Sequence, residues 1–95
     1  MNITQHLLAC LSEEAGEIVQ SVGKAHRFGL DDCYPDTEHT SRKDLANEMD
    51  DLIAVYQILV ELGELQPSSP VRVGAKKEKV LRMLKVSIDK GQTAV

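Results

Sequence analysis

Ninety-five residues with 15 acidic and 11 basic side chains, a net charge of −4, make one domain at most and argue against general nucleic-acid binding, because such a body repels phosphates unless metal ions intervene. A hydrophobic content of 42% with only 3% aromatics and no tryptophan leaves Leu, Val, Ile, Ala and Met to build the core, which suits helix packing. No apolar run approaches the roughly 20 residues of a membrane span, the N-terminus lacks the flanks of a secretory signal, and Cys10 and Cys33 have no CxxC spacing, so a reduced cytoplasm is expected.

A chain this short buries only about 60 to 65% of its unfolded surface, so self-association is expected to complete a marginal core. The charge is uneven. From Val71 onward seven basic residues stand against Glu78 and Asp89, a local +5, while residues 1–70 carry four basic and thirteen acidic side chains, or −9. The basic stretch reads either as a solvated helix face or as a cationic arm for the acidic body of a neighbouring subunit.

From Thr4 to about Phe28, Leu7, Leu8, Leu11, Ala15, Ile18, Val19, Val22 and Ala25 recur at spacings of three and four, which predicts a helix capped by Thr4 or Asn2. Gly16 and Gly23 each cost about 1 kcal/mol relative to alanine, so a break near Ser21 to Gly23, giving two shorter helices, is the alternative. Gly29 to Thr40, rich in Gly, Pro and Asp, reads as a loop. Ser41 and Asp44 resemble a capping box opening a second helix to about Leu62, with Leu45, Met49, Leu52, Ile53, Tyr56, Leu59 and Val60 inward and Gly63 as the stop. After the connector Gln66-Pro-Ser-Ser-Pro70, a third helix is expected over Ala75 to about Asp89, with Val80, Leu81, Leu84 and Ile88 on one side. The expected architecture is a single all-α domain over 1–95, an antiparallel helical bundle with a first acidic helix region at 1–29, a second at 41–62 and a basic helix at 75–89.

The chemistry concentrates in two acidic clusters, Glu13-Glu14-Ala-Gly-Glu17 and Glu48-Met-Asp50-Asp51. Acids three apart share a helix side, so Glu14/Glu17 and Glu48/Asp51 are placed to converge across a helix interface. At about 100° per residue, Glu14 falls within roughly 20° of the line through Leu7, Leu11 and Ile18, a costly place for an unpaired charge. Glu17 lies at the edge of that stripe, and Glu48 and Asp51 flank the stripe of the second helix. A solvated face is the ordinary reading of any single Glu, but four acids at matched spacing point to a cation between them. Oxygen-only ligands select Mg²⁺ or Mn²⁺ rather than zinc, and Mg²⁺ held by a few carboxylates usually meets a phosphorylated substrate. Gln20, Lys24 and Arg27 continue the same helix side as a polar strip, placing Lys24 or Arg27 to grip a phosphate chain; ordinary i,i+4 helix pairing is the competing reading. His6, His26 and His39 have no ligand spacing and read as solvated, Cys10 as core and Cys33 as a loop thiol. No Cys and His combination suggests a nucleophile.

The succession Glu13-Glu14-x-x-Glu17, Gln20-x-x-x-Lys24-Ala-x-Arg27-Phe28-Gly29 and Glu48-x-x-Asp51-Leu52 resembles the MazG-like nucleoside triphosphate pyrophosphohydrolases of the all-α NTP pyrophosphatase superfamily, over about Leu7 to Leu62. The stretch between the acidic motifs is similar to that of the phage and small bacterial branch. The resemblance implies hydrolysis of an NTP or dNTP between the α and β phosphates, giving monophosphate and pyrophosphate, with Glu14, Glu17, Glu48 and Asp51 as metal ligands and Glu13 as a further or supporting one. General metal catalysis would supply the rest: Mg²⁺ neutralises the phosphate chain, and water activated by the ion or by a carboxylate attacks the α phosphorus. The resemblance also implies a homodimer or homotetramer. Phosphoribosyl-ATP pyrophosphatase and dimeric dUTPase-type activities share the carboxylate logic. A different class of reading is a non-catalytic helical interaction module whose acidic faces bind a basic partner or the chain's own tail. The basic last helix matches no motif of the family, and Phe28, Tyr34 and Tyr56 are candidates either to stack on a base or, for Phe28 and Tyr56, to join the core.

Overall fold

The computed structural model describes residues 1–33 and 38–95; Tyr34, a candidate base-stacking residue, lies outside them. Three helices follow in order, α1 (Ile3–Phe28), α2 (Ser41–Glu61) and α3 (Pro70–Asp89), and among the described residues the only extended pairing is an isolated bridge between Cys33 and Thr40. Apart from that bridge the regular structure of the described residues is all-helical, as the periodicity predicts.

Each helix is bounded by chemistry written into the chain. Asn2 caps α1 through a reciprocal box: Gln5 N–H donates to Asn2 Oδ1 at 2.8 Å and Asn2 N–H donates to Gln5 Oε1 at 2.9 Å. α1 then runs unbroken through Gly16 and Gly23, so the alternative of two shorter helices is set aside. Its stop is Gly29, at φ 92°, whose N–H donates to Ala25 O.

α2 begins one residue earlier than the Ser41 capping box implies. Thr40 is the cap, its Oγ1 accepting from Lys43 N–H at 3.1 Å, while Ser41 is the first helical residue and is buried. Its entry is pinned by Ser41 N–H to Asp32 O at 3.0 Å, Arg42 N–H to Leu30 O at 2.8 Å and an exposed Arg42–Asp31 ion pair at 3.2 Å. α2 ends in a Schellman motif: Gly63, at φ 77°, donates to Val60 O, and Glu64 N–H donates to Leu59 O. α3 starts five residues before the expected Ala75. Ser69 Oγ accepts from Arg72 N–H at 3.2 Å and Pro70 takes the first helical position, where its missing N–H costs nothing.

α1 and α2 pack as an antiparallel hairpin, while α3 packs on neither. Within one chain the helices therefore form a two-helix hairpin with a third helix that packs on neither of the others. The radius of gyration is 16.9 Å, against about 12 Å for a compact chain of this length. The connector is held to α2 instead, where Tyr56 O–H donates to Gln66 O at 2.8 Å, so Tyr56 is half-buried as a tether and not as core.

Burial in the chain by itself is sparse. Leu59 is the one hydrophobic side chain fully buried among the described residues, at 0% exposure. Leu8, Val19, Val22, Met49 and Ile53, expected inward from their spacing, stand largely exposed, Val19 at 71%. So does Phe28, with the Arg27 guanidinium 5.1 Å above its ring. Leu59→Ala is expected to lower unfolding free energy by about 2–5 kcal/mol, and Asn2→Ala by about 1 kcal/mol, in urea titrations followed by circular dichroism. An unchanged midpoint for Leu59→Ala would place the core elsewhere.

Candidate metal centre

The antiparallel hairpin sets α1 from Glu14 to Lys24 against α2 from Asp51 back to Ser41. Glu14 and Glu17 are one turn apart on α1, Glu48 and Asp51 one turn apart on α2, and the crossing brings all four together. One carboxylate oxygen from each lies within 4.8 Å of all the others. Glu14, Glu17 and Glu48 are half-buried and Asp51 is exposed, so the cluster is open to solvent on the Asp51 side.

Glu14 Oε2 and Glu48 Oε2 are sealed from solvent and have no hydrogen-bond donor. An ionised carboxylate only accepts, so its neighbours in the cluster cannot satisfy it. The electrostatics follow. Burial, with Glu17, Asp51 and Glu13 adding like charge, holds the Glu14 carboxyl above the ordinary 4.5. Glu48 is raised as well, first because a protonated Glu48 shares a hydrogen bond with Glu17, then by burial and by the charges of Glu17, Asp51 and Glu14. A proton or a cation relieves the same defect.

Beside the acids is a hollow of about 160 Å³ lined by Ser21, Lys24, Ser41, Asp44, Asn47 and Glu48. Of the three residues expected to bind substrate, the structure brings Lys24 to this hollow. Gln20 is exposed on α1 outside the lining, and Arg27, also outside it, stacks on Phe28. The strip of Gln20, Lys24 and Arg27 follows the exposed surface of α1, whereas the hollow follows the interface between helices.

Sequence reasoning passed over Ser21, Ser41 and Asn47 and read Asp44 only as a cap. A signal was present, since Asp44 and Asn47 stand one turn before Glu48 and Asp51 and extend the same side of α2. His6, His26 and His39 are exposed and outside the cluster, Cys10 is a half-buried free thiol and Cys33 an exposed one.

Family models, curated proteins and solved structures return no match to this chain. The reading of the site therefore stands on its residues and their geometry. No helix among the described residues is long and apolar enough to cross a membrane.

The donor set is four carboxylates with two sealed, donorless oxygens, which suits a hard divalent cation and offers no soft ligand. A folded-state pKa raised above the unfolded value gives an acid stability that is present below the unfolded value and lost as pH rises through the folded one. Metal-free protein is thus expected to gain stability as pH falls from neutral toward 4.5. Glu48→Gln should flatten that gain and melt higher than wild type at neutral pH with chelator present. Parallel pH profiles for the two proteins would show that the acids do not repel one another.

Proposed function

We propose that this chain is a cytoplasmic, Mg²⁺-dependent nucleoside triphosphate pyrophosphohydrolase of the MazG-like type, converting an NTP or dNTP to the monophosphate and pyrophosphate. The observation that carries the reading is the convergence of Glu14, Glu17, Glu48 and Asp51, from two helices, with Glu14 Oε2 and Glu48 Oε2 buried and without donors. These four acids would hold Mg²⁺, with Mn²⁺ as a substitute. The bound ion would supply charge neutralisation for the phosphate chain and polarisation of its oxygens.

The chain's own residues account for the remainder. Lys24, at the hollow beside the acids, offers an ammonium for a phosphate group. Ser21, Ser41 and Asn47 offer hydroxyl and amide donors to phosphate oxygens or to a sugar. The carboxylates are also the bases nearest the phosphate, so the proton of an attacking water has an acceptor at the site. Proton and cation compete for Glu14 and Glu48, so cation affinity falls as pH drops through their raised pKa values. Pairing of chains into a homodimer or homotetramer belongs to the same reading and would finish a core that one chain leaves open.

The test is pyrophosphate release from a panel of NTPs and dNTPs, with phosphoribosyl-ATP and dUTP included, in Mg²⁺ and in chelator. Release is expected only with Mg²⁺, reduced by at least about 10²-fold in Glu48→Gln. Lys24→Ala is expected to lower kcat/KM by about 10- to 100-fold, the size of one charge-assisted contact. Thermal stability should rise with added Mg²⁺ in wild type and not in Glu14→Gln. No release across the panel, with no Mg²⁺-dependent rise in Tm, would contradict the reading and leave a helical interaction module.

A further inference from the structure

The hollow beside the acids adjoins the place where a nucleotide's α phosphate would be held. It shares Glu48 with the carboxylate cluster and reaches one turn beyond it on each helix, to Asp44 on α2 and Ser21 on α1. Asp44 precedes Glu48 by four residues and Ser21 follows Glu17 by four, a step of about 6 Å along either helix axis. With the α phosphorus at the acids, the group one step away is the sugar, the base beyond it, or the β phosphate.

Size and charge decide among them. The hollow measures about 160 Å³, below the range of about 300–1,000 Å³ for a pocket that takes a whole ligand, so it takes one part of the substrate. Its lining sets two carboxyl groups, Asp44 and Glu48, against the single ammonium of Lys24. A phosphate tail brings several negative charges and no donor, so Asp44 repels it and gains no hydrogen bond from it. A nucleobase fits no better. Bases are held against aromatic or apolar faces, and none of the described lining residues is aromatic or apolar.

A pentose suits every group present, because its hydroxyls both donate and accept. The Asp44 carboxylate accepts through two oxygens, the Ser21 and Ser41 hydroxyls do both, and the Asn47 amide offers a carbonyl and an NH₂. Asp44 also stands in the first turn of α2, where an acid favours the helix N-terminus. That role is served as well by a fully exposed acid, whereas Asp44 is half-buried and lines the hollow.

We propose that the hollow is the sugar subsite and that Asp44 selects ribose over deoxyribose, its two oxygens accepting from the 2′ and 3′ hydroxyls. The assignment rests on the nucleotide reading of the carboxylate site. An acid that accepts from a ribose 2′ hydroxyl is a general device of nucleotide recognition, and that hydroxyl is what tells ribose from deoxyribose. Selection is the same for every base, because the hydroxyl it reads is common to all. The Asp51 side of the cluster, open to solvent, is left for the pyrophosphate end of the chain.

The test is kcat/KM for pyrophosphate release in Mg²⁺ on NTP and dNTP pairs that share a base, with wild type, Asp44→Ala and Asp44→Asn. Wild type is expected to favour the ribonucleotide of each pair by about 10- to 100-fold, the size of one charge-assisted hydrogen bond that the deoxy sugar cannot make. Asp44→Ala is expected to lower the NTP values more than the dNTP values and bring the ratio toward parity, with Asp44→Asn between. Circular dichroism checks that α2 stays helical, and Asp44→Asn, which keeps the side chain's shape, carries the test if Asp44→Ala does not. A wild type that turns over dNTPs as well as NTPs would overturn the assignment. So would variants that lower both members of each pair equally, as a merely structural Asp44 requires. Release without sugar preference contradicts the subsite alone, whereas no release from any pair contradicts the nucleotide reading and the subsite with it.

Discussion

Four carboxylates forced into one junction set the terms for the rest of this structure. α1 and α2 cross with Glu14, Glu17, Glu48 and Asp51 mutually within 4.8 Å, at a place where helix packing would ordinarily set Leu against Leu. Like charge and partial burial oppose that arrangement, and the protein meets the opposition by holding Glu14 and Glu48 toward their neutral forms. The hairpin is thus locally strained by charge in exchange for a ready-made anionic cradle. A cation in the cradle would satisfy two sealed oxygens and remove the repulsion at once, and would thereby link folding to ion binding through the same four side chains.

The rest of the hairpin fixes where its two helices begin and how they meet. The Asn2–Gln5 box starts α1, Thr40 and the turn contacts from Leu30 and Asp32 fix where α2 begins, and Leu59 anchors the far end of the packed interface. With both ends held, the register of α2 against α1 is set, and the acids meet because of it. A slip of one residue would rotate Glu48 by about 100° away from Glu14.

Much of this was legible in the chain. Acids at i and i+3 on two helices, with Glu14 lying in an apolar stripe, carried enough information to pair the two motifs, since a charge on a packing face requires a partner. What the pattern could not convey was which polar residues line the gap between helices. Lys24 and Arg27 look equivalent along α1, yet the crossing places one at the hollow and leaves the other over Phe28. The start of α3 is written in Ser69-Pro70, a cap and a first-turn proline, although Pro70 in a Pro- and Ser-rich stretch equally marks a connector. The exposed Val19, Val22, Met49 and Ile53 fit the helical period and still are not core, because periodicity reports an apolar face without saying what covers it.

The hairpin consequently has two unlike sides, one with the acids and Lys24, the other apolar, and α3 belongs to neither within its own chain. The cation site is addressed most directly by anomalous diffraction from crystals grown with Mn²⁺. The account predicts a manganese peak within coordination distance of Glu14, Glu17, Glu48 and Asp51, abolished in Glu48→Gln. A junction with no peak, or with peaks only at scattered surface acids, would contradict it.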